Sequence, residues 1–247
     1  TRQSAGSVLV NMGRTMVLCT CCVEESVPPF LTGKGKGWLT AEYSMLPGST
    51  GSRKARDKAG KVDGRSVEIQ RLIGRALRAV VDLDRLGERT LWLDCDVLEA
   101  DGGTRTAAIN GAFVALVDAL NSLQGKTPRT PSGSTTPPAP FPKPSDVIRD
   151  SVAAVSIGLL DDRALLDLCY EEDRDVDVDL NLIMTGGQRI IEVQAGGEEA
   201  TFSREQLDEL LEIGRRGIDR IIEAQRKVLG QSWPFASGKE IREKSDF

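Results

Sequence analysis

The positions of hydrophobic and polar residues predict two successive blocks, each of which begins with strands and ends with helix. In the first block, apolar runs at Ser7–Val10 and Thr15–Cys21 flank the turn residues Asn11–Arg14, which indicates a β-hairpin. A short strand is also predicted at Leu39–Leu46, and alternating apolar residues predict another at Thr90–Leu98. The first block therefore supplies the strands of one sheet.

Two helices are predicted in the first block. The segment Ser66–Leu83 carries one apolar stripe at helical spacing, formed by Ile69, Leu72, Ile73, Ala76, Leu77 and Val80. The second helix runs from about Arg105 to Leu123 and has the Ala- and Val-rich faces of a deeply buried helix. Another face of the first helix carries the three arginines Arg71, Arg75 and Arg78. Glu68 and Asp82 are placed to form ion pairs with them along the helix. We interpret this arginine face as structural or as part of an interface.

The second block repeats the order of the first. Ser151–Leu160 and Ala164–Tyr170 flank Asp161-Asp162 as one predicted hairpin, and Val178–Thr185 and Arg189–Gln194 flank Gly186-Gly187 as another. A long helix follows from Ser203 to about Leu229, and its first residues match a capping box. Strands followed by helix in each half predict an α+β fold of two similar βαβ-type halves, with helices packed on one face of each mixed sheet.

A proline-rich segment separates the two blocks. Residues 127–144 hold seven of the 11 prolines, and such a segment propagates neither a helix nor a sheet. The predicted organisation is a first half at 1–126, a loop at 127–145, a second half at 146–230 and a polar, frayed tail at 231–247.

Composition narrows the possible chemistry. The chain of 247 residues contains no histidine, which excludes histidine-dependent nucleophilic sites, acid–base catalysis and metal ligation. No apolar run reaches the ~18 residues of a membrane helix, and no signal peptide is recognisable, so we expect a cytoplasmic protein without a membrane span. Five cysteines are interpreted as reduced, mostly buried thiols: Cys19, Cys21, Cys22, Cys95 and Cys169.

Two segments have the residue types of an anion site. Gly64-Arg65 lies where the first long helix begins, and Gly102-Gly103-Thr104-Arg105 lies between a strand and the second long helix. A helix N-terminus presents unpaired amides and partial positive charge, while arginine offers a planar fork that matches phosphate oxygens. If the two segments converge, they hold one phosphate; the alternative is that both are ordinary turns.

Charged segments suggest a polyanion and a possible metal. The net charge is −5, yet two glycine-containing loops concentrate basic side chains. These side chains either attract a polyanion locally or are simply solvated: Lys34, Lys36, Arg53, Lys54, Arg56, Lys58 and Lys61. In the segment 171–181, four aspartates occupy every second position: Asp173, Asp175, Asp177 and Asp179. We expect the strand itself to start near Val178, which leaves Asp175 and Asp177 solvated.

These segments together resemble the ribonuclease PH family of bacterial phosphate-dependent 3′-exoribonucleases. The likeness extends from about Gly6 to Ala224, and its most specific part is the run DCDVLEADGGTRTAAI at Asp94–Ile109. The other supporting segments are GSVLV at Gly6–Val10, VLCT at Val17–Thr20, GWLTAEYSMLP at Gly37–Pro47, EIQRLIGRALRA at Glu68–Ala79, AAVSIG at Ala153–Gly158, DLNLIMT at Asp179–Thr185 and IIEVQ at Ile190–Gln194.

The resemblance implies roles for particular residues. Inorganic phosphate, the co-substrate, is expected to bind Arg65, Gly103, Thr104 and Arg105. The two functional acids of the family match Asp173 and Asp179, which either hold Mg²⁺ or, for Asp179, protonate the leaving group. Arg53 and Arg56 match residues of a loop linked to RNA binding and ring assembly.

The resemblance also implies the reaction and the assembly. Phosphate is expected to remove nucleotides one at a time from the 3′ end of tRNA precursors as nucleoside diphosphates, and the reverse reaction adds them. The expected assembly is a homo-hexameric ring built as a trimer of dimers. The alternative from another class is a non-catalytic RNA-binding ring subunit of an exosome-like assembly. A polynucleotide phosphorylase would be longer than this chain, and a hydrolytic nuclease would release monophosphates.

Overall fold

The fold contains two four-stranded sheets. The computed structural model describes residues 1–56, 63–127, 139–197 and 200–235. The first sheet has the order β1-β2-β4-β3, with β3 parallel to β4 and the other neighbours antiparallel: β1 Gly6–Met12, β2 Thr15–Glu24, β3 Trp38–Met45 and β4 Thr90–Glu99. The second sheet is antiparallel with the order β6-β5-β7-β8: β5 Val152–Leu160, β6 Arg163–Leu166, β7 Val178–Thr185 and β8 Ile190–Gly197.

Helices cover these sheets in layers. The helices are α1 Gly64–Val80, α2 Leu83–Leu86, α3 Thr104–Ser122, α4 Pro144–Val147, α5 Tyr170–Asp175 and α6 Arg204–Leu229. One core joins the first sheet to α1 and α3 and also includes Val152, Ala154 and Ile183 of the second sheet. The alternate residues of β5 and β7 pack with α6 in a second core. The second sheet is therefore covered on both faces, whereas the sequence predicted helices on one face of each sheet.

The α+β class and most predicted elements are confirmed. The first hairpin closes at Met12 and Thr15, which face each other in the register. The predicted capping box of α6 is present, because Ser203 Oγ accepts from the Gln206 amide while Gln206 Oε1 accepts from the Ser203 amide. Of the five free cysteines, Cys19, Cys21 and Cys95 are buried as predicted, Cys169 is half-buried and Cys22 is exposed.

Several predicted boundaries were wrong: two elements end earlier than predicted, and strands β2 and β8 continue three residues further, to Glu24 and Gly197. Helix α1 ends at Val80 rather than Leu83, because Val81 is extended and pairs with Ile148, and Asp82 caps the separate helix α2. Strand β6 ends at Leu166 rather than Tyr170, because Asp167 adopts a left-handed backbone with φ of 64° and Tyr170 starts α5.

The structure describes the chain a few residues beyond the predicted end of the second half, but it leaves out much of the predicted loop and tail. Trp233 packs edge-on against Phe113, with ring centroids 6.2 Å apart, so ordered packing continues beyond Gly230. Residues 236–247, most of the proline-rich segment (128–138), and Lys58 and Lys61 lie outside the described residues. The predicted domain boundaries stay predictions. Within the described chain, none of the helices combines the length and apolar character needed to cross a membrane.

Candidate functional site

The two glycines before α3 bring both halves of the chain together. Gly102 and Gly103 have φ values of 76° and 55°, a left-handed conformation that glycine adopts without strain. A β-carbon on Gly102 would collide with the carbonyl oxygen of Leu168 and with the backbone of Cys169. This close approach places the segment that leads into α5 against the N-terminus of α3.

A polar cavity of about 250 Å³ lies at this junction. All the residues predicted to bind phosphate and both predicted functional acids line this cavity: Arg65, Gly103, Thr104, Arg105, Asp173 and Asp179. Three further lining residues were not selected in the sequence analysis: Ser156, Val176 and Asn181. The N-termini of α1 and α3 supply the basic side, and α5 and β7 supply the acidic side. The two predicted anion segments therefore do converge.

A buried tyrosine orients the hydroxyl at the N-terminus of α3. Thr104 is only 7% exposed, and its Oγ1 accepts a hydrogen bond of 2.8 Å from the phenol of Tyr43. Burial raises the pKa of Tyr43, although its contact with Thr104 and the nearby Arg65 and Arg105 lower it in part. Because the phenol stays protonated and donates, the Thr104 hydroxyl proton is free to point toward the cavity.

Arg105 lies in a chain of polar contacts that starts on α1. Its Nη1 is 3.0 Å from Gln194 Oε1 on β8 and 3.4 Å from a carboxylate oxygen of Glu68. Gln194 Nε2 donates to Glu192 Oε1 at 3.1 Å, and both oxygens of Glu192 accept from Arg75, each at 2.7 Å. The guanidinium of Arg105 is thus positioned by side chains of two other elements.

The predicted partners of the arginine face were wrong. Glu68 pairs with Arg105 across to α3, and Asp82 pairs with Arg149 at 2.9 Å. Arg78 donates to the Leu39 carbonyl at 2.9 Å and lies over the Trp38 ring. Arg75 and Arg78 therefore connect α1 to β8 and β3 instead of pairing along the helix.

The four alternating aspartates do not form one row. Asp173 and Asp175 lie on helix α5, and β7 begins at Val178 as predicted. Asp175 pairs with Arg174 at 2.6 Å, and Asp177 accepts from the Asp161 amide at 3.1 Å. Of the four aspartates, only Asp173 and Asp179 line the cavity. Because the first two lie on a helix, the alternation expected of a continuous strand does not apply to them.

Asn181 and Ser156 are the polar residues that sequence reasoning missed. Asn181 is 9% exposed and Ser156 is 4% exposed, and they face each other in the register of β5 and β7. The Ser156 hydroxyl oxygen accepts from the Leu168 amide at 3.2 Å. Strand alternation from Asp179 would have pointed to Asn181, whereas Ser156 is found only through the pairing of β5 with β7.

The described basic residues of the second loop differ in whether they line a cavity. Lys54 pairs with Asp63 at 3.1 Å and lines a larger adjoining cavity. The hydrogen bond from Lys54 lowers the pKa of Asp63 and, together with the positive charge of Lys54 and contacts with Arg65, outweighs the opposing effect of desolvation. Arg53 and Arg56 are exposed and do not line either cavity, so their part in RNA binding stays a prediction.

The chemistry of the cavity is that of an anion site facing carboxylates. Two helix N-termini, two guanidinium groups and a hydroxyl favour phosphate on one side. Asp173 and Asp179 on the other side fit the one or two carboxylates that typically hold Mg²⁺ beside a substrate phosphate. Among the described residues, no group of three or more His, Cys, Asp or Glu side chains is arranged to hold a metal ion.

Family models and known proteins match most of this chain. The two domain models of the 3′ exoribonuclease family match residues 1–120 and 150–217. The chain belongs to this family.

Similar proteins share most of the chain. A protein named Ribonuclease PH from Exiguobacterium sibiricum is 52% identical over 246 residues, covering 98% of this chain and 92% of the relative. A protein of the same name from Bacillus subtilis is 54% identical over 231 residues, covering 93% and 89%.

Among solved structures, an Archaeoglobus fulgidus exosome with RNA bound to the active site matches with a TM-score of 0.71 at 21% identity, covering 90% of this chain and 84% of that one. Rice Rrp46 matches with a TM-score of 0.69 at 18% identity, covering 92% and 89%. At these identities the structural matches establish the fold.

Proposed function

We propose that this chain is a phosphorolytic 3′-to-5′ exoribonuclease. The observation that carries the proposal is the single cavity that joins Arg65, Thr104 and Arg105 to Asp173 and Asp179. The relatives named Ribonuclease PH support the same activity. The non-catalytic ring subunit is the weaker alternative, because such a subunit has no need to keep the basic and acidic groups in one cavity.

In the proposed reaction, inorganic phosphate attacks the last phosphodiester of an RNA 3′ end. A new bond forms between a phosphate oxygen and the terminal phosphorus, the bond to the preceding 3′ oxygen breaks, and a nucleoside diphosphate leaves. Arg65, Arg105 and the Thr104 hydroxyl hold the attacking phosphate and offset its repulsion from the RNA phosphate. Asp179 either supplies a proton to the leaving 3′ oxygen as a general acid or stays ionised, in which case water supplies that proton.

In the alternative in which Asp179 stays ionised, Asp173 and Asp179 are the residues that would hold Mg²⁺ in this cavity. When bound, the ion would offset negative charge on the phosphates. The proposal further includes the 3′ extensions of tRNA precursors as substrate, nucleotide addition as the reverse reaction, a homo-hexameric ring built as a trimer of dimers, and a cytoplasmic location.

The decisive assay offers an RNA with a single-stranded 3′ extension, in Mg²⁺, with and without inorganic phosphate. We expect shortening only with phosphate, and nucleoside diphosphates as the products. Monophosphates formed without phosphate, or no shortening at all, would overturn the proposal.

Two variants test the assigned roles within this assay. Arg105→Ala should raise the phosphate concentration required, and Asp179→Asn should lower the turnover rate by about 10²- to 10⁴-fold while RNA binding changes little. Arg215→Ala is the matched control, because Arg215 pairs with Glu212 and Asp219 on the exposed side of α6.

A further inference from the structure

A second, larger cavity of about 850 Å³ opens beside the polar cavity of about 250 Å³ that is proposed to bind phosphate, the phosphate cavity. The two cavities share Arg65, Gly103, Thr104 and Asp173. A molecule whose phosphate end lies at the N-terminus of α3 can therefore extend directly into the larger space. For the proposed reaction, the part of the substrate next to the scissile phosphate is a nucleoside.

The lining of the larger cavity fits a nucleoside better than a second anion. Arg14 and Lys54 contribute positive charge, but Asp101 and Glu171 line the same space and offset it. Met45 adds apolar surface, and Thr50 and Ser52 add hydroxyl groups. A mixture of polar and apolar groups without a net excess of cations suits a neutral base and a ribose.

Tyr170 is the aromatic residue in this lining, and 58% of it is exposed. Its backbone is fixed, because the Tyr170 amide donates to Asp101 Oδ1 at 3.2 Å and the Cys169 amide donates to Glu172 at 3.0 Å. Exposed apolar side chains are common singly. This one differs because its ring lies on a fixed backbone at a cavity that continues into the phosphate site.

We propose that the larger cavity binds the 3′-terminal nucleoside of the RNA, with the base stacked on the ring of Tyr170. This inference rests on the proposed function and adds the subsite that holds the base. Stacking on an aromatic ring accepts any base, because each base has a π face. The enzyme would therefore remove nucleotides without strong sequence preference, as successive trimming requires.

The test measures binding of a short single-stranded RNA without phosphate, so that no turnover occurs. Tyr170→Ala should weaken the Kd by about 5- to 100-fold, and Tyr170→Phe should stay close to the parent protein because the ring remains. Phe30→Ala is the control, since Phe30 is also 58% exposed but packs on Trp38, at the opposite end of β3 from Met45.

An RNA that lacks the base of its 3′-terminal nucleotide separates stacking from a general structural effect. With this abasic RNA, the parent protein and Tyr170→Ala should bind equally. Unchanged binding of normal RNA by Tyr170→Ala, or an equal loss on both RNAs, would overturn the inference. Failure of phosphate-dependent shortening by the parent protein would instead overturn the proposed function, because the binding measurement does not depend on turnover.

Discussion

Tyr43 is a buried residue that orients a side chain of the proposed phosphate site. Its phenol donates to Thr104 Oγ1, so the Thr104 hydroxyl is directed by a partner that a phosphate cannot displace. Tyr43 itself is 2% exposed and does not line the phosphate cavity. We therefore expect Tyr43 to act as a positioning residue through Thr104.

Replacing Tyr43 with Phe should weaken phosphate binding while the ring keeps the core filled. Loss of one neutral hydrogen bond predicts an increase of about 2- to 10-fold in the KM for phosphate, with little change in the Kd for RNA. Thr104→Val removes the hydroxyl itself. The double variant should be no worse than Thr104→Val alone, and additive losses would contradict a role through Thr104.

At this scale, the basic side of the site and its two acidic residues were predicted, whereas the other two polar residues of the lining were not. Arg65, Thr104 and Arg105 follow glycines at helix starts, which is a local pattern that the chain shows directly. Ser156 and Asn181 become neighbours only through the register of β5 and β7. That register depends on packing between distant segments, so no short stretch of sequence displays it.

At the scale of elements, β8 connects α1 to the N-terminus of α3. Gln194 accepts from Arg105 through its carbonyl oxygen and donates to Glu192 through its amide nitrogen. Arg75 on α1 holds Glu192 in turn. This chain of contacts fixes which way the Gln194 amide points and therefore where Arg105 lies.

Gln194→Ala should release Arg105 and raise the KM for phosphate by roughly tenfold, with kcat changed less. Gln194→Glu should weaken phosphate binding further, because its carboxylate competes for Arg105 and repels Glu192. Gln188→Ala is a suitable control, since Gln188 precedes β8 and bonds to exposed Asp219. A fall in kcat without a change in phosphate KM would contradict this positioning role.

The predicted end of α1 was wrong because a distant segment of the chain competes with the local helical periodicity of apolar residues. The apolar stripe of α1 continues in sequence through Val81 and Leu83, and it therefore predicts a longer helix. In the fold, Val81 instead pairs with Ile148, which follows the proline-rich segment. The strand–helix alternation was predictable from periodicity, whereas the stop at Val80 depends on a partner 67 residues away along the chain.

At the scale of the whole molecule, the site lies where the N-terminal and C-terminal halves of the chain meet. Arg65 and Thr104 come from the first half, and Asp173 and Asp179 come from the second. Besides the core around α3, the halves are joined at one edge by backbone bonds: Asp82 donates to the Val147 carbonyl, and Arg149 donates to the Val80 carbonyl. This edge therefore adds a second set of contacts between the two halves, at the C-terminal end of α1.

The ion pair between Asp82 and Arg149 provides a test of that edge. Asp82 also accepts from the amides of Asp84 and Arg85, and asparagine can keep these two cap bonds. Partial burial raises the pKa of Asp82, but the bonds from Arg149 and the two amides outweigh it and lower the pKa overall. Asp82→Asn therefore removes the charge while it preserves the cap.

Asp82→Asn should lower the free energy of unfolding at pH 7 by about 1 kcal/mol, measured by urea denaturation. Because the folded pKa lies below the ordinary value of about 3.9, the stabilisation is complete above that value and is lost as the pH falls through the folded pKa. The difference between the two proteins should be constant from pH 7 to 5 and shrink below pH 4. Asp84→Asn, at an exposed neighbour that pairs with Lys36, should change stability little. A difference that persists undiminished at pH 3 would show that the charge of Asp82 does not stabilise this edge.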